Sequence, residues 1–77
     1  MSKSTTFQTN KEIARLLASE RKRKNLTQAE VAQKLRKPQS FVSKYESGQR
    51  QLTTADFIAV CKAIGIKSSS FLYAFER

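Results

Sequence analysis

The segment from Arg36 to Arg50, RKPQSFVSKYESGQR, carries several hydrogen-bonding side chains at helical spacing. Residues three and four apart share one face of a helix. Four polar residues would therefore lie together on one surface: Gln39, Ser40, Ser43 and Lys44. These side chains offer many hydrogen bonds and little charge, and none of them is acidic. Such a surface can form hydrogen bonds with polar groups on a binding partner.

The chain offers little for catalysis. It has no histidine, which removes the commonest general base and the commonest zinc ligand together. The acidic residues are scattered, and there is no phosphate-binding loop. The single cysteine, Cys61, cannot form an internal disulfide, and we expect a small core residue there rather than a redox sensor. We therefore predict no enzyme activity, no cofactor, no metal and no small-molecule ligand.

The positive charge is concentrated in one part of the chain. The net charge is +9, and the segment from Arg21 to Arg50 holds nine cations and two acids. A basic block of this kind suits nucleic acid or an anionic membrane surface, although it can also serve solubility alone. No apolar run approaches the about 20 residues that span a bilayer, and the N-terminus does not resemble a signal peptide. Cations and apolar residues also fall on different helices, which argues against an interfacial membrane helix. We therefore predict a cytoplasmic protein that makes no membrane contact.

Two glycines and one proline in 77 residues favour helices over a turn-rich β fold. The predicted fold is all-α, a compact bundle of five short helices. We expect a flexible segment over residues 1–8 and a single domain over residues 9–77. Apolar periodicity and cap signals place the helices at about residues 10–24, 28–35, 38–46 and 54–64, with a fifth after KSSS at 67–70.

Helices 2 and 3 would form a helix-turn-helix, because a tight turn joins two short helices inside the basic segment. The crossing of the two helices requires a small side chain, which Ala32 supplies. Apolar side chains are needed beside it to fix the angle: Val31, Leu35, Val42 and Tyr45.

The segments LTQAEVAQKL, PQSFVSKYESGQRQL and FIAVCKAIGI together resemble the XRE family, which includes Cro and the lambdoid phage repressors. The resemblance extends from about Glu12 to Ile66 and implies a lambda repressor-like DNA-binding domain. One residue departs from the family pattern, since Arg36 stands where the turn usually has glycine. A left-handed backbone at Arg36 would cost about 1 kcal/mol. Either the turn differs slightly, or a phosphate contact offsets this cost.

The resemblance implies that the polar face of helix 3 contacts base edges in the major groove through Gln39, Ser40, Ser43 and Lys44. Glutamine can form two hydrogen bonds with adenine, and lysine can donate to guanine acceptors. The alternative for these residues is a solvated polar face.

The resemblance also implies a set of phosphate contacts: Gln28, Arg36, Lys37, Gln49 and Arg50. Such contacts add affinity and salt dependence rather than sequence preference. The alternative for Gln28 is an ordinary helix-start residue. The run from Arg21 to Lys24 is either a solvated helix end or a further source of phosphate contacts. Phe41 either packs against a neighbouring helix or meets a thymine methyl group or a sugar.

These observations predict a small DNA-binding repressor that recognises a near-palindromic operator as a homodimer. Its two recognition helices would enter successive major grooves about 34 Å apart. Apolar residues of helix 5 would complete the core and form the dimer interface: Phe71, Leu72 and Phe75. The alternative is an antitoxin or another protein-binding module that uses the same helix-turn-helix for autoregulation, with a protein as its partner.

Overall fold

The computed structural model describes the backbone of residues 2–76 and the side chains of residues 9–74. The helices are α1 (Ser2–Arg23), α2 (Gln28–Leu35), α3 (Gln39–Glu46), α4 (Thr54–Ile64) and α5 (Ser68–Glu76). The described residues contain no β-strand. This order confirms the predicted all-α fold. Helices α2 and α3 pack closely on each other, and α1 and α4 support them from behind.

Helix α1 begins earlier than predicted. Its backbone is helical from Ser2, so the capping pattern that begins at Thr9 lies inside the helix rather than at its start. A capping pattern can mark the first turn of a helix. Here no glycine or proline precedes it to interrupt a helix, so the helix that begins at Ser2 continues through Thr9. At the other end, Asn25 adopts a left-handed backbone with φ 60° and turns the chain towards α2.

The predicted caps of α2 and α4 are confirmed. The N–H of Glu30 donates to Thr27 Oγ1 at 3.0 Å, and the N–H of Thr27 donates to Glu30 Oε1 at 2.8 Å, which is a complete capping box. At the start of α4, Thr53 Oγ1 accepts from the N–H of Asp56 at 3.0 Å. Gly65 ends α4 with φ 91°, a conformation that glycine adopts without steric cost. Helix α5 begins inside the KSSS segment rather than after it.

The turn between α2 and α3 keeps the left-handed geometry although it lacks glycine. Arg36 has φ 58° and ψ 43°. The N–H of Lys37 donates to the carbonyl of Ala32 at 3.0 Å, which closes the end of α2. Of the two alternatives for Arg36, a changed turn is therefore wrong. The backbone cost of about 1 kcal/mol is present in the fold.

The core lies between α1, α2, α3 and α4. Its fully buried side chains are Leu17, Val31, Val42, Tyr45, Val60 and Cys61. Ala32 is also buried, as its predicted place between α2 and α3 requires. Burial raises the pKa of the Cys61 thiol to about 11, so this residue is an unreactive part of the core.

Candidate nucleic-acid interface

The outer face of α3 carries the four predicted base-contacting residues. Gln39, Ser40 and Lys44 are exposed, and Ser43 is half-buried. Val42 and Tyr45 lie on the opposite face and are buried in the core, so the orientation of the helix is fixed. Ser43 Oγ donates to the carbonyl of Ser40 at 3.2 Å. Because this bond uses the hydroxyl proton, Ser43 meets a ligand mainly as a hydrogen-bond acceptor.

A buried ion pair joins α1 to the end of α3. Arg21 Nε donates to Glu46 Oε2 at 2.7 Å, and Arg21 Nη2 donates to Glu46 Oε1 at 3.1 Å. Arg21 Nη1 also donates to the carbonyl of Leu26 at 2.7 Å. The hydrogen bonds to Glu46 raise the pKa of the Arg21 guanidinium, although burial acts in the opposite direction. Both partners were missed at the sequence level, although Glu46 is one of only two acids in the basic segment.

The ion pair continues into the polar face through two glutamines. Gln28 Nε2 donates to Glu46 Oε1 at 2.9 Å. Gln39 Nε2 donates to Gln28 Oε1 at 3.4 Å. The chain of bonds from Arg21 through Glu46 and Gln28 to Gln39 is called the glutamine relay below.

The glutamine relay fixes which way each amide points. A carboxylate only accepts hydrogen bonds, so Gln28 must present its NH2 group to Glu46. The carbonyl oxygen of Gln28 then faces Gln39, and the NH2 group of Gln39 donates to it. Gln39 is left with its carbonyl oxygen and one N–H free, and this is the pair that adenine requires.

The predicted phosphate-contacting cations flank α3. Arg36 and Lys37 lie in the turn before it, and Arg50 lies in the loop after it, and all three are exposed. The loop folds back on α3, since the N–H groups of Gln49 and Arg50 donate to the carbonyl of Lys44 at 2.9 and 3.1 Å. Gly48 makes this reversal with φ 86°. The N-terminus of α3 has no side-chain cap, so its first N–H groups are available to an anion.

Phe41 is buried beside these cations. Its ring meets Tyr45 edge-on, with 5.7 Å between centroids and 73° between planes. Lys37 Nζ lies 5.3 Å and Arg50 Cζ lies 4.8 Å from the centroid of the same ring. Phe41 therefore belongs to the core cluster, and its ring contacts are with Tyr45 of the same helix and with the two cations beside that helix, while a contact with DNA stays a prediction.

Three cations of the run from Arg21 to Lys24 have partners inside the protein. Arg21 pairs with Glu46, and Arg23 pairs with Glu20 on the surface of α1. Lys24 Nζ donates to the carbonyl of Gly65 at 3.0 Å and so ties the end of α1 to the end of α4. The contacts of Arg21 and Lys24 therefore join α1 to other parts of the fold.

Residues 71–75 divide between the core and the surface as far as the structure describes them. Phe71 is half-buried, and the centroid of its ring lies 5.6 Å from the ring centroid of Phe57. Phe71 therefore packs against the core. Leu72 and Tyr73 are exposed. The side chain of Phe75, the third predicted interface residue, lies outside the described residues.

Over the described parts of the chain, no three His, Cys, Asp or Glu side chains come together as metal ligands would. No single helix in the same region has the length and apolar character needed to cross a membrane. Helices α4 and α5 reach that threshold only as a pair that bends by 102°.

Comparison with known proteins agrees with this geometry. A family model described as helix-turn-helix matches residues 17–71. Among solved structures, the chain is similar to an XRE-family like protein from Pseudomonas syringae pv. tomato str. DC3000. The two are 33% identical, with a TM-score of 0.93 over 97% of this chain and 92% of the other. The curated proteins contain no match to the chain.

Proposed function

Because the chain belongs to the XRE family of helix-turn-helix DNA-binding regulators, we propose that it is a cytoplasmic, sequence-specific repressor. It would place α3 in the major groove of double-stranded DNA and block access of RNA polymerase. The observation that carries this proposal is the glutamine relay, which holds Gln39 with one donor and one acceptor free. A side chain ordered before binding loses less entropy when it contacts a base.

Base recognition would rest on Gln39, Ser40 and Lys44, with Ser43 accepting a hydrogen bond. Gln39 suits adenine, and Lys44 suits the O6 and N7 acceptors of guanine. Ser40 reaches a base edge only if α3 lies deep in the groove. The exposure of this face, together with its lack of acidic side chains, supports a close approach to DNA.

Phosphate contacts would come from Gln28, Arg36, Lys37, Gln49 and Arg50. For Gln28 this role uses the second N–H of its amide, since the first donates to Glu46. The uncapped N-terminus of α3 adds backbone donors to the same region.

Two copies of the chain would bind a near-palindromic operator, with recognition helices about 34 Å apart. We propose that α5 forms the dimer interface. Leu72 and Tyr73 expose apolar surface there, and Phe71 contributes from the edge of the core. Phe75 belongs to the proposed interface on sequence grounds alone.

Selection of bound sequences from a random pool of duplexes would test the proposal. We expect a single enriched motif with two inverted half-sites separated by about one helical turn. A pool that stays unenriched would refute sequence-specific binding and would favour a protein-binding role. An enriched motif without symmetry would refute the dimeric arrangement alone.

A further inference from the structure

We propose that Phe41 is a positioning residue that holds Lys37 and Arg50 ready for DNA phosphates. The proposal rests on the proposed DNA-binding function and adds a role for a residue that does not itself face the bases. Phe41 is 8% exposed, although it lies on the recognition helix itself. Two cationic side chains, Lys37 and Arg50, lie over its ring at 5.3 and 4.8 Å from the ring centroid.

The two cations come from opposite ends of α3. Lys37 precedes the helix and Arg50 follows it, yet both contact one ring. Their backbones are already fixed, because the N–H of Lys37 donates to Ala32 and the N–H of Arg50 donates to Lys44. Only the side chains remain free to move. The negative face of an aromatic ring attracts a cation, so Phe41 restricts the freedom that remains.

Contact with the ring leaves both cations able to bind phosphate. A guanidinium that covers an aromatic face keeps N–H donors at its edge, and an ammonium has three donors. The ring and a phosphate can therefore hold the same cation together. Ordering a long side chain at an interface normally opposes binding, and a side chain ordered in advance avoids most of that cost.

The ring itself is held in place by the core. Tyr45 is 1% exposed and meets Phe41 edge-on. Through this contact, the position of the two cations depends on the buried face of α3, which the core holds in place. The cations should therefore keep their spacing relative to the bases that α3 faces.

The test measures binding to a mixed-sequence duplex of about 30 base pairs, since phosphate contacts do not depend on sequence. Phe41→Leu keeps an apolar side chain and removes the ring, whereas Phe41→Tyr keeps the ring. We expect Phe41→Leu to bind about 3- to 10-fold more weakly, from the side-chain ordering that is lost. Phe41→Tyr should stay within about 2-fold of the wild type. The matched control is Phe57→Leu, which removes a ring that packs on Phe71 rather than under either cation and should leave binding unchanged.

Two readouts separate positioning from a merely structural role. Phe41→Leu keeps every charge, so the slope of log affinity against log salt should not change, whereas Arg50→Ala should reduce it by about one. In an Arg50→Ala background, Phe41→Leu should lose much of its effect, because one of its two cations is gone. Equal or tighter binding by Phe41→Leu, or a loss that Arg50→Ala does not diminish, would overturn the proposal.

Ring-current shifts give a test that does not depend on the variants folding. In the free wild-type protein, the side-chain protons of Arg50 should resonate upfield of their usual positions, because the guanidinium carbon lies 4.8 Å from the ring centroid. Usual chemical shifts would refute the proposal even if DNA binding is intact. A wild-type protein that binds no duplex, with shifted Arg50 protons, would refute the proposed function instead and leave only the stacked geometry.

Discussion

Replacing Glu46 with alanine would leave Arg21 buried and charged without its carboxylate. The two side chains are 9% and 8% exposed, so water can replace little of what is lost. Arg21 would lose the acceptor for Nε and Nη2 and keep only the carbonyl of Leu26. Gln28 would lose its acceptor as well. Removal of one partner from a buried ion pair costs about 3–5 kcal/mol of unfolding free energy.

That loss is large for a chain of this size. Domains are stable by about 0.05–0.15 kcal/mol per residue, which gives about 4–12 kcal/mol for 77 residues. Each kilocalorie lowers the melting temperature of a domain this small by about 4–8 °C. Glu46→Ala should therefore lower it by about 12 °C or more, measured by thermal unfolding followed with far-UV circular dichroism.

Helix α1, which carries Arg21, also provides a matched control. Arg23→Ala breaks an exposed ion pair with Glu20 on α1, and we expect no measurable change in melting temperature. The double variant Arg21→Met, Glu46→Leu removes both buried charges and should be more stable than Glu46→Ala. The reasoning is refuted if Glu46→Ala melts within experimental error of Arg23→Ala, since the ion pair would then be no better shielded than a surface pair.

Three further predictions concern recognition, pH and assembly. Gln39→Ala should cost about 1–3 kcal/mol on the selected operator and much less on random duplex, measured by fluorescence anisotropy, and equal losses would contradict base reading. Burial raises the pKa of Cys61 from 9.0 to about 11, so the unfolded chain loses this proton first. The free energy of unfolding should then fall as the pH rises from about 9 to 11. Urea titrations should show a smaller fall for Cys61→Ala than for the wild type, and identical pH profiles of the two proteins would contradict this. Leu72→Glu should give a monomer in analytical ultracentrifugation, whereas a persistent dimer would exclude Leu72 from the interface.

Local signals predicted most of the fold. The caps at Thr27, Thr53 and Gly65 act within a few residues of themselves, so the sequence displays them directly. The start of α1 was predicted too late, because a capping pattern does not reveal whether a helix already exists before it. At Arg36 the sequence marked the departure from glycine but could not decide the conformation, which depends on how α2 and α3 pack.

The sequence predicts the polar face of α3 in the candidate site, but it does not predict the buried ion pair that lies behind this face. Helical spacing alone places Gln39 beside Ser43 and Ser40 beside Lys44 on one surface. Arg21 and Glu46 are 25 residues apart, and nothing local separates Arg21 from the other cations at the end of α1. Pairings of this kind depend on how helices cross. The same limit applies to Phe41, whose surroundings come from both ends of α3.

The glutamine relay also bears on how this chain could acquire a new operator. Ser40 and Lys44 are exposed and lie outside the relay, so substitutions there should change base preference with little effect on folding. Gln39 is bonded to Gln28, and through it to the buried ion pair, so a change there disturbs a network that also supports the fold. Evolution or engineering of specificity should therefore proceed first through positions 40 and 44. Position 39 would change only together with position 28.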